Sequence, residues 1–235
     1  NLAVAAMAAG LFLAFLVTLV LPAEIGKMKQ KPGFTALFSK SRGINVLSLA
    51  RFFLFGARDV WFVVGVPVFL YASGWTFTMV GGFLALWTIG YGLVQALAPQ
   101  IVRRSDDGLS REVPAARWWS AILAAITAAL AVAVGMHAPQ LQWVVVFGLV
   151  LFGIAFAVNS SVHSYLVLAY AGSEKAAEDV GFYYAANALG RFGGTLLSGL
   201  LYQWGGLLWA LIASAMMLTA CWLVTLALPV VRPKA

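Results

Sequence analysis

Apolar residues fall into seven long runs that are separated by short polar connections. Each run approaches or exceeds the roughly 20 residues that a helix needs to cross the hydrocarbon core of a bilayer. The pattern therefore predicts an all-α membrane protein with seven transmembrane helices, at 2–21, 46–70, 76–102, 118–136, 143–169, 182–202 and 207–230. Long and short connections alternate, as expected when one membrane face carries the larger loops.

The composition excludes an ordinary soluble enzyme. Of the 235 residues, 63% are hydrophobic and 10% are charged, whereas a soluble domain has roughly 25% charged residues. The single cysteine, Cys221, excludes an intrachain disulfide.

The first apolar run has the features of a spanning helix and lacks those of a secretory signal. No basic residue precedes it, and no small-residue cleavage site lies before Pro22. The chain starts at Asn1 and not at Met, from which we expect it to be a fragment. The predicted organisation is a helix at 1–22, a basic cytoplasmic linker at 23–45, a six-helix bundle at 46–231 and a cytoplasmic tail at 232–235.

The distribution of cations predicts the orientation in the membrane. Twelve of the 15 lysines and arginines lie in connections on one side of an alternating seven-helix chain, namely Lys27, Lys29, Lys31, Lys40, Arg42, Arg103, Arg104, Arg111, Arg117, Lys175, Arg232 and Lys234. The positive-inside rule places that side in the cytoplasm. The net charge of +7 then reflects topology, and charges split among loops do not resemble a nucleic-acid-binding stripe.

Three arginines remain inside apolar runs. Arg51 and Arg58 are seven residues apart and share one helix face. Arg58 and Arg191 lie roughly 18 Å and 14 Å along their helices, near the middle of the bilayer. Because an arginine there costs about 2.5–3.5 kcal/mol on insertion scales, we expect Arg58 and Arg191 to bind one anion between them. Pairing of Arg58 with Asp59 or with carbonyls is the alternative, and for Arg51 both snorkelling and lining the cavity entrance remain open.

Other polar side chains within the runs are weaker candidates. Asp59, the one carboxylate inside a run, is interpreted as a counter-ion in preference to a proton-coupling group, since neighbouring helix residues point about 100° apart. His163 is interpreted as a helix–helix hydrogen-bonding group in preference to a proton relay. Further candidates for substrate binding are Asn159, Asn187, Trp61, Trp87, Tyr91 and Gln95. The spacing of Gly190 and Gly194 predicts close helix packing.

Three segments resemble known transporters. RRSDDGLSRE at 103–112 is similar to a loop of the major facilitator superfamily, while FSKSRGINVLSLARFFLFGARDVWFVVGVPVFLY and NALGRFGGTLLSGLLYQWGG resemble organoarsenical efflux permeases of the ArsJ type. The resemblance implies the last helix of an amino half followed by a six-helix carboxy half, in the inner (cytoplasmic) membrane. It also implies efflux of 1-arseno-3-phosphoglycerate, which a partner glyceraldehyde-3-phosphate dehydrogenase makes from arsenate, with proton exchange as the driving force and no cofactor.

Other classes of function are disfavoured to different degrees. A retinal protein is excluded because it needs a lysine within a span, and every lysine lies in a predicted loop or tail. An enzyme is disfavoured because the chain has two histidines and none of the common hydrolase or metal motifs. A non-transporting scaffold stays open, as does an exporter of another organic anion, a sugar phosphate or a drug.

Overall fold

A computed structural model describes residues 2–20, 41–103, 105–171 and 176–230. Within these ranges the regular structure is entirely helical, which confirms the predicted all-α class. The helices are α1 (Leu2–Leu19), α2 (Arg42–Phe62), α3 (Gly65–Ala72), α4 (Phe77–Val102), α5 (Glu112–Gly135), α6 (Leu141–Tyr170) and α7 (Ala176–Leu226). The predicted linker up to residue 40 and the tail at 232–235 lie outside the described residues, as do Arg104 and the predicted loop and tail lysines.

Five helical segments among the described residues are long and apolar enough to span a membrane, so the chain has the character of a multi-pass membrane protein. They are Arg42–Ala72, which combines α2 and α3, and then α4, α5, α6 and α7. The apolar part of α1, Val4–Leu19, is shorter, and α1 belongs to a separate compact unit from α2–α7. The predicted count of seven spans is not confirmed, because two predicted runs fall within α7.

A pair of glycines divides α7 into two arms. The backbone is non-helical at Gly205 and at Gly206, whose φ of 63° is in the left-handed region that favours glycine. We call 176–204 the first arm and 207–226 the second arm. Ser198 of the first arm accepts a hydrogen bond from the amide of Val64, and Ser214 of the second arm donates one to the carbonyl of Ala57. Both arms therefore lie along α2.

The break between α2 and α3 follows from Pro67. Proline has no amide hydrogen, and its ring clashes with the carbonyl four residues earlier, here that of Val63. Val63 and Val64 form a turn between the two helices. The hydroxyl of Ser198 accepts the freed amide hydrogen of Val64 at 3.2 Å, which attaches α7 to the break.

The start of α2, the end of α6 and the end of α7 meet at one end of the bundle. Gly43 packs against the ring of Tyr170, and the Tyr170 hydroxyl donates to the carbonyl of Pro229 at 2.6 Å. Arg117 donates to the carbonyls of Thr225, Leu226 and Leu228 at 3.1–3.2 Å. These contacts agree with the predicted alternation of the chain across the bundle.

Three predicted boundaries are wrong at the starts of helices, and one of them is the start of α7, which lies at Ala176 and not at 182. The structure begins α2 at Arg42, where Ser41 caps it by accepting from the amide of Ile44, so the predicted bundle starts four residues too late. It begins α5 at Glu112, so Arg117 lies in a helix and not in the connection where the sequence placed it. All three helices start in polar sequence, which the search for apolar runs does not detect.

The connection between α4 and α5 folds into a hydrogen-bonded turn. One oxygen of Asp107 accepts from the amides of Leu109 and Ser110 at 3.0 Å and from the Ser105 hydroxyl at 2.7 Å. These donors hold the pKa of the Asp107 carboxyl well below its usual range. Glu112 is buried and accepts from the amide of Ser105 at 3.0 Å.

Candidate functional site

The site forms where α2 and the first arm of α7 come into backbone contact. A Cβ atom on Gly190 would overlap the carbonyl oxygen of Phe52, and one on Gly194 would overlap that of Gly56. The predicted close packing at these glycines is confirmed. Asn187 and Arg191, which flank Gly190 on α7, are thereby brought against α2.

Asp59 joins the two arginines that the sequence expected to act together. Its Oδ1 accepts from Nε and Nη2 of Arg58, both at 2.6 Å. Its Oδ2 accepts from Nε of Arg191 at 3.0 Å. The side chain of Asp59 is 2% exposed. These three residues, which we call the arginine–aspartate cluster, fit the counter-ion interpretation of Asp59, while proton coupling stays a prediction.

The two guanidinium groups of the arginine–aspartate cluster differ in their surroundings. Arg58 is 14% exposed and lies over the rings of Phe55 and Phe156, at 4.8 Å and 5.2 Å from their centroids. Arg191 is 55% exposed. Two cations and one carboxylate leave the cluster with a formal charge of +1. Arg191 is thus the side of the cluster that a solute can reach.

The helix face around Arg191 is not covered by the described residues. Its exposed neighbours on the same face of the first arm are Tyr184, Ala188 and Thr195, which lie seven and three residues before Arg191 and four after it. Arg191 lies near the middle of this arm, and Arg58 lies near the middle of Arg42–Ala72. Lipid tails cannot hydrogen-bond a guanidinium group at that depth. In a membrane this face must therefore meet water or protein.

Arg51 forms a second polar cluster, one and a half to two turns before Arg58. Its Nε donates to Oδ1 of Asn187 at 3.2 Å, and its Nη1 donates to the carbonyl and the hydroxyl of Ser160 at 3.1 Å and 3.2 Å. Arg51 is 4% exposed, which rules out snorkelling in this conformation. No carboxylate bonds Arg51 in the part of the chain that the structure describes.

The ring of Phe55 lies beside both Arg51 and Arg58. Its centroid is 4.0 Å from Cζ of Arg51 and 4.8 Å from Cζ of Arg58. The predicted common face of the two arginines is confirmed. The same ring packs edge-on against Phe156 of α6, with centroids 5.0 Å apart.

The remaining candidates lie elsewhere in the bundle or touch the arginine–aspartate cluster only indirectly. Asn159 is buried and donates from Nδ2 to the Ser120 hydroxyl at 3.0 Å. Trp61 is buried against the ring of Phe152.

Tyr91 touches the arginine–aspartate cluster only indirectly. It stacks on Trp87 and lies 6.0 Å from Phe156, the ring beneath Arg58. The backbone carbonyl of Gln95 accepts from the Ser161 hydroxyl. Substrate binding by these residues stays a prediction.

His163 does not make the hydrogen bond that the sequence suggested. It is fully buried, and neither ring nitrogen has a hydrogen-bond partner among the described residues. The helix–helix hydrogen bonds in this part of α6 are made by Ser160, whose carbonyl accepts from Arg51 of α2 and also from the Ser164 hydroxyl. A proton-relay role for His163 stays untested.

Two contributors to the site, Phe55 and Phe156, were not candidates in the sequence analysis, whereas Ser160 belongs to a run at 159–165 that is too polar for lipid. Phe55 carried a usable signal, because it lies four residues after Arg51 and three before Arg58, on the same helix face. Phe156 and Ser160 are on α6, roughly a hundred residues away in sequence from α2. Their role follows from helix packing alone.

Metal ligands are not grouped in the described residues. No set of three or more histidine, cysteine, aspartate or glutamate side chains there is arranged to hold a metal ion. The polar chemistry of the described bundle is that of guanidinium, carboxylate, amide and hydroxyl groups.

No protein-family model matches the sequence, and no curated protein matches it either.

Proposed function

We propose that this chain is part of a secondary transporter of the major facilitator superfamily. In this proposal it exports an anionic organoarsenical, 1-arseno-3-phosphoglycerate, across the cytoplasmic membrane and so contributes to arsenate resistance. The observation that carries the proposal is the arginine–aspartate cluster, with its exposed Arg191, midway along two apolar helices. The likeness of residues 38–71 and 187–206 to organoarsenical efflux permeases supports the choice of solute.

The chemistry of the cluster suits an oxyanion. A guanidinium group presents parallel N–H donors that match two oxygens of a phosphate or arsenate group. Arg191 uses Nε for Asp59, and more than half of its side chain is exposed. The net positive charge of the cluster favours an anion and opposes a cationic drug.

The uncovered face around Arg191 supports a cavity wall. In the proposed fold, five further helices complete the amino half, and the solute binds between the halves near the middle of the membrane. Rocking of the halves alternates access, and exchange with protons drives export. The chain acts as a carrier and not as an enzyme, and the dehydrogenase that makes its solute is a functional partner.

A second candidate is an exporter of another organic anion, such as a sugar phosphate. The same two arginines support it, because phosphate and arsenate esters both offer tetrahedral oxyanions to a guanidinium group. The choice between these solutes depends on a functional test.

The test is arsenate resistance of arsenic-hypersensitive cells that express the complete gene, with and without the dehydrogenase. We expect resistance to require both genes and to be lost in Arg58→Gln and Arg191→Gln at equal amounts in the membrane. Arg42→Gln is the matched control, because Arg42 is an exposed arginine at the start of α2. Resistance that survives both cluster substitutions would contradict anion binding by the cluster. No resistance in the wild type would favour the second candidate.

A further inference from the structure

The carboxylate of Asp59 occupies the position between two guanidinium groups that a bound oxyanion would need. Each of its oxygens faces a different arginine, Oδ1 towards Arg58 and Oδ2 towards Arg191. We propose that Asp59 is a built-in competing anion, which fills the arginine site when solute is absent and helps to expel the solute when it leaves. This inference rests on the proposed function, since it concerns the same site.

The two ion pairs of Asp59 differ in how easily they open. The pair with Arg58 has two contacts of 2.6 Å between neighbouring residues, and aromatic rings lie against that arginine. The pair with Arg191 has one contact, at 3.0 Å, to a side chain that is 55% exposed. The bond between Asp59 and Arg191 is therefore the one that an incoming anion replaces.

Asp59 is well placed to compete because it belongs to the same chain as Arg191 and helix packing holds the two side chains together. A tethered group has an effective concentration in the millimolar range or above when its geometry allows contact, and here the contact is formed. A phosphate or arsenate ester with close to two negative charges can bind a guanidinium group in bidentate fashion and displace the carboxylate. When the solute begins to leave, the carboxylate takes its place on Arg191.

A carrier benefits from such a competitor. Two guanidinium groups without a counter-charge would hold a dianion tightly, and transport requires binding that is weak enough for release. They would also leave two unpaired cations within the membrane in the empty carrier. Asp59 reduces both problems, and its removal should tighten binding while it slows export.

The experiment is calorimetric titration of the purified protein in detergent with inorganic phosphate and with 3-phosphoglycerate. We expect Asp59→Asn to bind both probes at least tenfold more tightly than the wild type and to export more slowly. Asp59→Glu, which keeps the carboxylate, should bind within about threefold of the wild type. Asp107→Asn is the matched control, because it makes the same chemical change in the loop between α4 and α5, and its affinity should not change.

Equal or weaker binding by folded Asp59→Asn would overturn the inference while leaving anion transport in place. Absence of binding by the wild type and by every variant would overturn the proposed function itself. A measurement on the wild type covers the case in which Asp59→Asn does not fold. Phosphate should shift the infrared carboxylate bands of Asp59, identified by their change in Asp59→Glu, and an unshifted spectrum with phosphate bound would contradict displacement.

Discussion

Arg51 and Arg58 lie on one face of α2 and share the ring of Phe55, yet their surroundings differ. Arg51 is closed off from the surface, and its hydrogen-bond acceptors are the neutral groups of Asn187 and Ser160. Arg58 is partly exposed and bonds a carboxylate that also holds the exposed Arg191. An arginine inside an apolar helix can thus either connect helices or form part of an open charged site. The first kind is buried and bonds neutral acceptors, whereas the second is partly exposed and bonds a carboxylate.

The two arginines differ in the groups that replace the hydration of the guanidinium and balance its charge. Arg51 joins α2 to α6 and to α7, and three hydrogen bonds and two aromatic rings, Phe55 and Tyr183, replace its hydration. With acceptors on two other helices, it holds the bundle together. In the arginine–aspartate cluster, one carboxylate serves two cations, so one positive charge remains for a solute.

The largest expected effect comes from breaking the helix contact on which both regions depend. Gly190 lies between Asn187 and Arg191 and packs against the backbone of Phe52, which cannot move aside as a flexible side chain could. Gly190→Ala should destabilise the bundle by about 3 kcal/mol, at the upper end for an overpacked core. Gly193→Ala is the control, because a Cβ there meets no atom within 4 Å. Thermal unfolding in detergent measures both, and similar midpoints would contradict a backbone contact.

Substitution of the buried Arg51 and of the exposed Arg191 by alanine tests directly which arginine stabilises the bundle. Arg51→Ala leaves a cavity and takes the donor away from Asn187 and Ser160, so we expect a loss of about 3 kcal/mol in the free energy of unfolding. Arg191→Ala should cost less, about 1 kcal/mol, because Arg191 is 55% exposed and the buried Asp59 keeps its pair with Arg58. Unfolding of the two variants under one condition decides the point. A larger loss for Arg191→Ala would reverse the assignment of the structural arginine.

The shared ring provides a smaller test. Phe55→Leu removes a cation–π contact from both arginines and edge-on packing against Phe156. We expect a loss of about 2 kcal/mol in unfolding free energy, together with weaker phosphate binding. Phe147→Leu is the control, since Phe147 is exposed on α6. If Phe55→Leu changes stability and leaves phosphate binding unaltered, the ring supports Arg51 alone.

The smallest effect concerns a carboxylate outside the membrane, in contrast to Asp59. The pKa of Asp107 is lowered by the amides of Ser110 and Leu109. A lowered folded-state pKa stabilises the turn fully above the ordinary value of about 4, and this contribution is lost as the pH falls further. Hydrogen exchange at Leu109 and Ser110, corrected for the intrinsic rate, should therefore lose protection as the pH falls below about 4. Asp107→Asn, whose side-chain oxygen still accepts from these amides, should show protection without such a transition.

The sequence predicted much of the local structure and part of the site. Apolar runs predicted the helices, but missed the polar first turns of α2 and α5, where Ser41 caps α2 and Glu112 begins α5. The seven-residue spacing of Arg51 and Arg58 predicted their common face, because helical geometry alone sets that relation. The roles of Asn159 and Trp61 could not be judged, because their contacts come from Ser120 and Phe152 on other helices.

By itself, the sequence determined the properties that depend on neighbouring residues: apolar helices of spanning length, the common face of Arg51 and Arg58 and the small surface at Gly190. Only the tertiary structure decided which arginine is buried and which is open. Asn187 reaches Arg51, and Arg191 reaches Asp59, across more than 130 residues of chain. Such pairs depend on how two helices are rotated and aligned when they pack, and that information is not present in either helix alone.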